Sequence, residues 1–201
     1  MHIVVIDASN DDITSDGLLD DSIDFVVNGR FLTDTPGSTL AWDRYLHGKH
    51  YITARSVPEM VDRILSKLGS ESLERLTIWG HGAPGRQGMG AGDSRFNIGW
   101  ASLGILICVV NGQVSESASL RRLCGRFSWD GRVDLHGCNV ALHHSGRHLL
   151  RALCDLWQVP VRAGVNFQHS HDDDRFDGPV IEAFPRQGHG SRVHLMNRGS
   201  Q

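Results

Sequence analysis

The sequence predicts an α/β fold in which a mainly parallel central sheet is flanked by helices. Short apolar segments typical of strands alternate along the chain with segments whose apolar residues recur every 3.6 residues, as in helices. Some strand segments, such as His2–Ala8, are almost continuously apolar, which is typical of parallel strands covered on both faces. His81 and Cys138 each follow such a segment in a glycine-containing turn. Open α/β folds place their sites at these strand ends.

Length and composition indicate one domain of moderate size. The chain has 201 residues, 40% of them apolar, and a net charge of −3 that gives no case for binding nucleic acid or an anionic membrane. We expect a single domain over residues 1–187 and a polar tail over 188–201 that frays. No apolar run approaches the roughly 18 residues of a membrane span. The apolar start after Met1 is too short and lacks the basic residues of a signal peptide, so we expect a cytoplasmic protein.

The N-terminal part predicts sheet elements with a small β-hairpin insertion. The strand His2–Ala8 carries Asp7 at its carboxyl end, and Asn28-Gly29 within residues 24–32 is a strong hairpin signal. A helix is expected over 38–47 and a strand over 51–54.

The following helix has clear start and stop signals. Ser56 and Glu59 form a capping box, Pro58 lies in the first turn, and Gly69 follows the last apolar residue. The predicted apolar face comprises Val57, Met60, Val61, Ile64, Leu65 and Leu68.

The rest of the chain continues the alternation. Residues 83–92 predict a mobile loop or a ribbon, and the β-rich run 105–110 is expected to pair with 96–98. The apolar residues Leu120, Leu123, Cys124 and Phe127 predict a helix before the Cys138 strand. Further elements are expected as a helix from Ser145 to Trp157 and strands over 159–163 and 179–184.

Two strand ends carry the candidate chemistry. The segments 76–82 and 133–139 are apolar runs that end in Gly80-His81-Gly82 and Gly137-Cys138-Asn139. If their strands are parallel neighbours, His81 and Cys138 emerge side by side. A thiol attacks as its thiolate and needs a base, for which His81 is the candidate. The backbone N–H groups of Gly82 and Cys138 are candidate donors to an oxyanion, because glycine lets a substrate approach the backbone.

The other three cysteines predict no chemistry of their own. Cys108, Cys124 and Cys154 fall within apolar patterns and are expected to be small core residues. No CxxC occurs, which argues against a zinc ribbon, and we expect the thiols to be reduced.

The two turns resemble those of the caspase-like (clan CD) cysteine peptidases, which include caspases, gingipains, separases and clostripain. In that group one apolar strand ends in His-Gly and a later one ends in Ala-Cys or Gly-Cys. The separation of His81 and Cys138 is also near the roughly 50 residues found in caspases. The Cys138 half, extended through Asn139-Val140-Ala141 and Gly146, is similar to a caspase-like domain of large bacterial surface proteins. The resemblance covers about residues 3–184.

This resemblance implies a caspase-like three-layer sandwich with a His81–Cys138 dyad and an oxyanion hole formed by the N–H groups of Gly82 and Cys138. It implies a cysteine endopeptidase that forms an acyl-enzyme on a protein or peptide substrate, without a cofactor or a metal. A regulatory partner or self-processing fits the same reading. The caspase pentapeptide is absent around Cys138, so aspartate specificity does not carry over.

The resemblance also locates a substrate pocket. In such peptidases the strand and loop after the next helix line the pocket for the residue before the cut. Here these include Ala163, Asp172 and Asp174, and an acidic wall favours Arg or Lys in the substrate. Asp7, at the same sheet edge, is expected to orient His81 or line the pocket. A solvated acidic loop and a calcium site are alternative readings of the aspartates.

Two other functions remain open. Some relatives of this fold lack activity, which leaves a binding or regulatory module without turnover. The histidines near Cys138 offer a metal-binding domain instead, since His144 and His148 share a helix face, with His136 and His143 nearby.

Overall fold

A computed structural model describes residues 1–7, 48–89, 106–168, 175–185 and 192–196. The predicted hairpin at 24–32, the helix at 38–47 and the strand at 96–98 lie outside these residues.

The described strands form two sheets. In chain order they are β1 (His2–Asp7), β2 (Lys49–Ala54), β3 (Leu73–Trp79), β4 (Gly82–Ala83), β5 (Arg86–Gly88), β6 (Leu106–Val110), β7 (Gln113–Val114), β8 (Phe127–Leu135), β9 (Val161–Gly164), β10 (Val180–Phe184) and β11 (Arg192–Met196). The main sheet has seven strands in the order β11-β10-β9-β8-β3-β1-β2. Its five strands from β9 to β2 pair in parallel, and β10 and β11 are antiparallel. The predicted α/β fold with a mainly parallel sheet is confirmed.

The second sheet is a small antiparallel ribbon in the order β4-β5-β6-β7. Its first strand, β4, begins at Gly82, directly after the turn that follows β3. The segment after His81 is therefore a ribbon rather than an open loop.

Helix α1 (Val57–Leu68) has the predicted ends. The Ser56 hydroxyl accepts a hydrogen bond from the Glu59 N–H at 3.3 Å, and the Glu59 carboxylate accepts one from the N–H of Arg55 at 2.9 Å. Gly69 stops the helix at φ 54°, with its N–H bonded to the Leu65 carbonyl.

The elements before and after Cys138 differ in detail from the sequence prediction. Helix α2 spans only Ser117–Leu120 and passes into a 3₁₀ turn at Arg121–Leu123, so Phe127 belongs to β8 rather than to a helix. Helix α3 (His143–Trp157) begins two residues earlier than expected.

The two faces of the main sheet are chemically different. Val133 and Leu135 point into a fully buried core shared with α1, α2 and α3. Asp134 lies between them and, by strand alternation, points to the opposite face. The described helices therefore pack on one face, and the other face carries buried polar groups together with a small apolar cluster around Val4 and Ile6.

Part of the polar C-terminal tail is a strand. Residues 192–196 pair antiparallel with β10 as β11, so they do not fray. The hydrogen-bonding edge that β10 presents explains the difference, because a strand edge orders a polar chain through backbone bonds alone.

Strand β8 bulges near its start. Leu73 and Arg75 of β3 pair with Phe127 and Arg132, so residues 128–131 of β8 lie outside the strand pairing, although the Ser128 hydroxyl donates to the Leu73 carbonyl at 3.1 Å. Trp129 lies in this bulge and is 97% exposed.

Candidate active site

The two predicted turns meet at the carboxyl edge of the sheet. Ile78 of β3 pairs with Leu135 of β8, and His81 and Cys138 each follow three residues later. A Cβ atom placed on Gly82 would lie 2.5 Å from the amide nitrogen of Cys138. Since real Cβ atoms do not approach so closely, only glycine fits where the two backbones touch. The prediction that the strands are parallel neighbours is confirmed.

A buried glutamine lies between the two turns. Gln87 is completely buried, and its side-chain oxygen accepts a hydrogen bond from the Gly137 N–H at 3.0 Å. Its side-chain nitrogen donates to the Gly88 carbonyl at 3.2 Å. The residue before Cys138 is thus bonded to the ribbon that follows His81.

The hydrogen bonds of the ribbon leave the Gly82 N–H directed away from β5. Gly88 donates its N–H to the His81 carbonyl at 2.6 Å, which makes His81 and Gly88 a hydrogen-bonded pair. Bonded and non-bonded pairs alternate in antiparallel strands, so the next pair, Gly82 and Gln87, directs its N–H groups away from the ribbon partner.

The Cys138 turn is held by backbone bonds on both sides. Asn139, at φ 58°, donates its N–H to the Asn166 carbonyl at 2.8 Å, and Ala141 donates to Gly164 at 3.0 Å. The Val140 carbonyl accepts from Gly85 at 2.9 Å. Within the described part of the chain, the N–H of Cys138 itself makes no hydrogen bond.

The thiol of Cys138 is half-buried against the segment after β9. The Gln168 N–H approaches Sγ at 3.4 Å, and Sγ lies 3.8 Å from the Gln168 carbonyl. The sulfur therefore accepts a bond from the Gln168 N–H, and the thiol donates toward the carbonyl of the same residue.

Gln168 joins the two sides of the segment that contains the predicted acidic wall. Its side chain bonds Asp177 through both polar ends, accepting from the Asp177 N–H at 3.0 Å and donating toward the Asp177 carbonyl at 3.2 Å. Asp172 and Asp174 lie outside the described residues. Gln168, which precedes their segment, also contacts the Cys138 thiol through its main chain.

Asp7 lies at the point where the strand order reverses. The chain passes from β1 to β2 on one side and returns to β3 on the other, which is the switch point where open α/β sheets bind ligands. Asp7 is buried. A Cβ atom placed on Gly80 would lie 3.2 Å from the Cβ atom of Asp7. This places Asp7 beside the residue that precedes His81.

Ala163 has no access to a substrate through its side chain. It is fully buried in the core under α3 and pairs with both β8 and β10. In the segment after β9, by contrast, Phe167 is 68% exposed.

A buried carboxylate joins the strands that carry the site, on the sheet face opposite the helices. Asp134 of β8 accepts hydrogen bonds from Arg75 of β3 at 2.6 Å and from Arg162 of β9 at 2.6 and 2.9 Å. Burial raises the pKa of Asp134, but the hydrogen bonds and charges of Arg162 and Arg75 outweigh it and hold the pKa below its ordinary value. The carboxylate is therefore ionised in the folded protein.

The histidines near Cys138 do not converge. His136 is buried between the rings of Trp79 and Phe176, at centroid distances of 4.2 and 4.1 Å, whereas His144 and His148 lie 6.1 Å apart on helix α3. Among the residues that the structure describes, no group of three or more His, Cys, Asp or Glu side chains is arranged to hold a metal ion. The metal-binding alternative thus has no centre in this part of the chain.

The remaining cysteines differ from the expectation of three core residues. Cys154 is buried, and burial raises the pKa of its thiol to about 12. Cys108 is half-buried, and Cys124 is exposed because the chain leaves the helical path at Leu120.

Gln87 and Gln168 were missed by sequence reasoning. Gln87 lies in a glycine-rich segment without periodicity, and Gln168 begins a polar stretch, so neither carries a signal of burial. Asp134 lies between two apolar strand residues, and this alternation indicates that its side chain lies on the opposite face of the sheet from theirs.

Comparisons of the chain with models of known protein families, with curated proteins and with solved structures found no match. In the described residues, no helix has the length and apolar character needed to cross a membrane. The fold and site define an α/β protein with a cysteine turn and a histidine turn in contact at the carboxyl edge of its sheet.

Proposed function

We propose that the chain is a cytoplasmic cysteine endopeptidase with a caspase-like three-layer fold, in which Cys138 is the nucleophile and His81 the acid–base partner. One observation carries the proposal. Two turns from distant parts of the sequence, one with a histidine and one with a cysteine, are in backbone contact at the ends of adjacent parallel strands. Thiol catalysis requires a base close to the cysteine, and the contact between these two turns supports such a pairing.

The proposed reaction has two halves. His81 takes the proton of Cys138, and the thiolate attacks the peptide carbonyl to form a carbon–sulfur bond. The N–H groups of Gly82 and Cys138 donate to the oxyanion, consistent with the direction of the first away from β5 and the missing partner of the second. The carbon–nitrogen bond then breaks as His81 protonates the leaving amine. Water, deprotonated by His81, hydrolyses the acyl-enzyme and restores the thiol.

Two features bear on the residue before the cut. Asp172 and Asp174 favour Arg or Lys, because their segment follows Gln168, whose main chain contacts the thiol. Phe167, exposed next to Gln168, instead favours an apolar substrate side chain.

The alternative function is a regulatory module on the same fold without turnover. The contact of Sγ with the Gln168 main chain favours it, because that contact directs the thiol to the protein itself.

Activity-based labelling separates these functions. Peptide acyloxymethyl ketones carrying Arg, Lys, Asp or Leu beside the warhead are tested on wild type, Cys138→Ala and His81→Ala. Cys124→Ser is the matched control, because its exposed thiol is the main site of non-specific alkylation. We expect labelling that persists in Cys124→Ser and is lost in Cys138→Ala, with Arg or Lys preferred. Equal labelling of folded wild type and Cys138→Ala would refute the peptidase and favour the regulatory module.

A further inference from the structure

Gln87 is the one side chain described here that bonds the Cys138 turn to the ribbon following His81. We infer that Gln87 is a positioning residue, whose amide fixes the Gly137–Cys138 turn relative to the His81–Gly82 turn. This inference rests on the proposed function of the two turns.

A continuous path of hydrogen bonds carries the inference. The Gly137 N–H donates to the Gln87 side-chain oxygen at 3.0 Å, and the Gln87 side-chain nitrogen donates to the Gly88 carbonyl at 3.2 Å. The Gly88 N–H in turn donates to the His81 carbonyl at 2.6 Å. Gln87 thereby links the residue before the thiol to the backbone of the histidine.

The direct contact between the turns does not fix their positions alone. It is made by Gly82 and Gly137, whose lack of side chains permits close approach but provides nothing that interlocks. Hydrogen bonds are directional, and two of them link the ribbon to the Cys138 turn. The Gly85 N–H bonds the Val140 carbonyl on the far side of Cys138, whereas the Gln87 amide acts on Gly137, the residue directly before the thiol.

Loss of the amide leaves a buried donor without a partner. Gln87 is completely buried, so water does not replace it without rearrangement, and an unpaired buried N–H at Gly137 is costly. The turn then shifts to satisfy that N–H, and Cys138 moves with it. A displacement of about 1 Å in an active site costs up to about a hundredfold in rate.

The test uses Gln87→Met, which keeps the approximate side-chain size and removes the amide, in the full chain carrying Cys124→Ser. Gln113→Met is the matched control, since Gln113 is exposed on β7 of the same small sheet. Three quantities are measured: the rate of Cys138 labelling by the preferred peptide acyloxymethyl ketone, its rate with iodoacetamide, and hydrogen exchange of the Gly137 amide by NMR.

We expect Gln87→Met to slow peptide-probe labelling about ten- to a hundredfold, while Gln113→Met labels at the wild-type rate. Iodoacetamide needs only an accessible thiolate, so its rate should fall far less, whereas general loosening of the fold would raise it. The Gly137 amide should lose protection in Gln87→Met alone.

The inference would be overturned if Gln87→Met reacted with the peptide probe at the wild-type rate, or if its Gly137 amide were as protected from exchange as in wild type. Either result would leave the peptidase proposal intact. Absence of Cys138-dependent labelling in wild type would instead refute the peptidase proposal, and the positioning role with it. If Gln87→Met does not fold, Gln87→Asn replaces it, because it keeps a neutral amide but is one methylene too short to bond Gly137 and Gly88 as Gln87 does. A folded Gln87→Asn should label severalfold more slowly than wild type, and an unchanged rate would overturn the inference.

Discussion

Asp134→Asn tests the role of the buried carboxylate in holding together the strands of the site. The substitution keeps the shape of the side chain and removes its charge. Arg75 and Arg162 then lose the anion that they contact at 2.6 Å on a side chain with 0% exposure. Removing one member of a buried ionic cluster costs about 3–5 kcal/mol, because the remaining charges stay buried without compensation. At about 2–4 °C per kcal/mol for a chain of this size, the melting temperature should fall by about 6–20 °C.

Asp62→Asn is the matched control for this prediction. Asp62 pairs with Arg122 at 2.7 Å, a distance close to those of Asp134, but the two side chains are 62% and 49% exposed. Exposed ion pairs contribute about 0–1 kcal/mol, so this variant should unfold almost as wild type does. The measurement is urea unfolding at pH 7, with the free energy compared between the two variants and wild type.

The pH dependence gives the same prediction a second readout. The folded pKa of Asp134 lies below its unfolded value, so its stabilisation is present above the unfolded pKa, near 3.9, and is lost as pH falls through the folded pKa. The difference between wild type and Asp134→Asn should therefore be largest at neutral pH and shrink under strongly acidic conditions. Equal unfolding free energies for Asp134→Asn and Asp62→Asn at pH 7 would refute the reasoning.

Three further predictions concern other parts of the fold. Burial, with nearby cationic side chains, lowers the pKa of His2 to about 3, so the unfolded chain binds an extra proton below about pH 6.5 and stability falls toward acid. His2→Gln should remove up to about 1–2 kcal/mol of the loss between pH 7 and pH 5 in urea unfolding, and an unchanged pH slope would contradict this. Trp157→Phe should lower the free energy of unfolding by about 1–3 kcal/mol, because the buried indole N–H donates to the Leu120 carbonyl at 3.0 Å. Trp129→Phe, in the exposed bulge, should change the free energy of unfolding by less than about 0.5 kcal/mol in the same thermal unfolding experiment. Similar losses for the two variants would be inconsistent with the structure. Gly82→Ala should abolish Cys138-dependent probe labelling, because the added Cβ would meet the backbone of the Cys138 turn. Gly112→Ala is the control and should keep its labelling, because its Cβ would meet nothing within 4 Å, despite the strain of its positive φ. Labelling of both variants would show that the two turns are not in contact.

The elements with strong local signals were predictable from the sequence. Helix α1 carries its cap at Ser56 and its stop at Gly69, and both act where they were expected. The C-terminal parts of β3 and β8, residues 76–79 and 133–135, lie in the segments that were predicted as strands, and their parallel pairing follows from the alternation of strand and helix patterns. The contact of the two turns followed from that pairing, since parallel strands end at the same edge.

What the sequence did not reveal depends on partners distant along the chain. Asp134 lies 59 residues from Arg75 and 28 from Arg162 along the chain. No local sequence pattern predicts that side chains from these two distant strands bond to its carboxylate. Gln87 bonds Gly137 across 50 residues. Cys124 fits the apolar period of a helix, but the α-helix ends at Leu120 and Cys124 is exposed. Strand β11 forms because it can pair with the edge of β10, and this pairing outweighs the polar character of its sequence.

The bonds between Gln168 and Asp177 join residues on either side of the interval 169–174. Lengthening a flexible chain between two held points costs little, about 0.6 kcal/mol for each doubling of its length. The bonds that Gln168 makes to Asp177 and to the Cys138 thiol involve none of the residues in that interval. Insertions between residues 169 and 174 are therefore expected to leave these bonds in place.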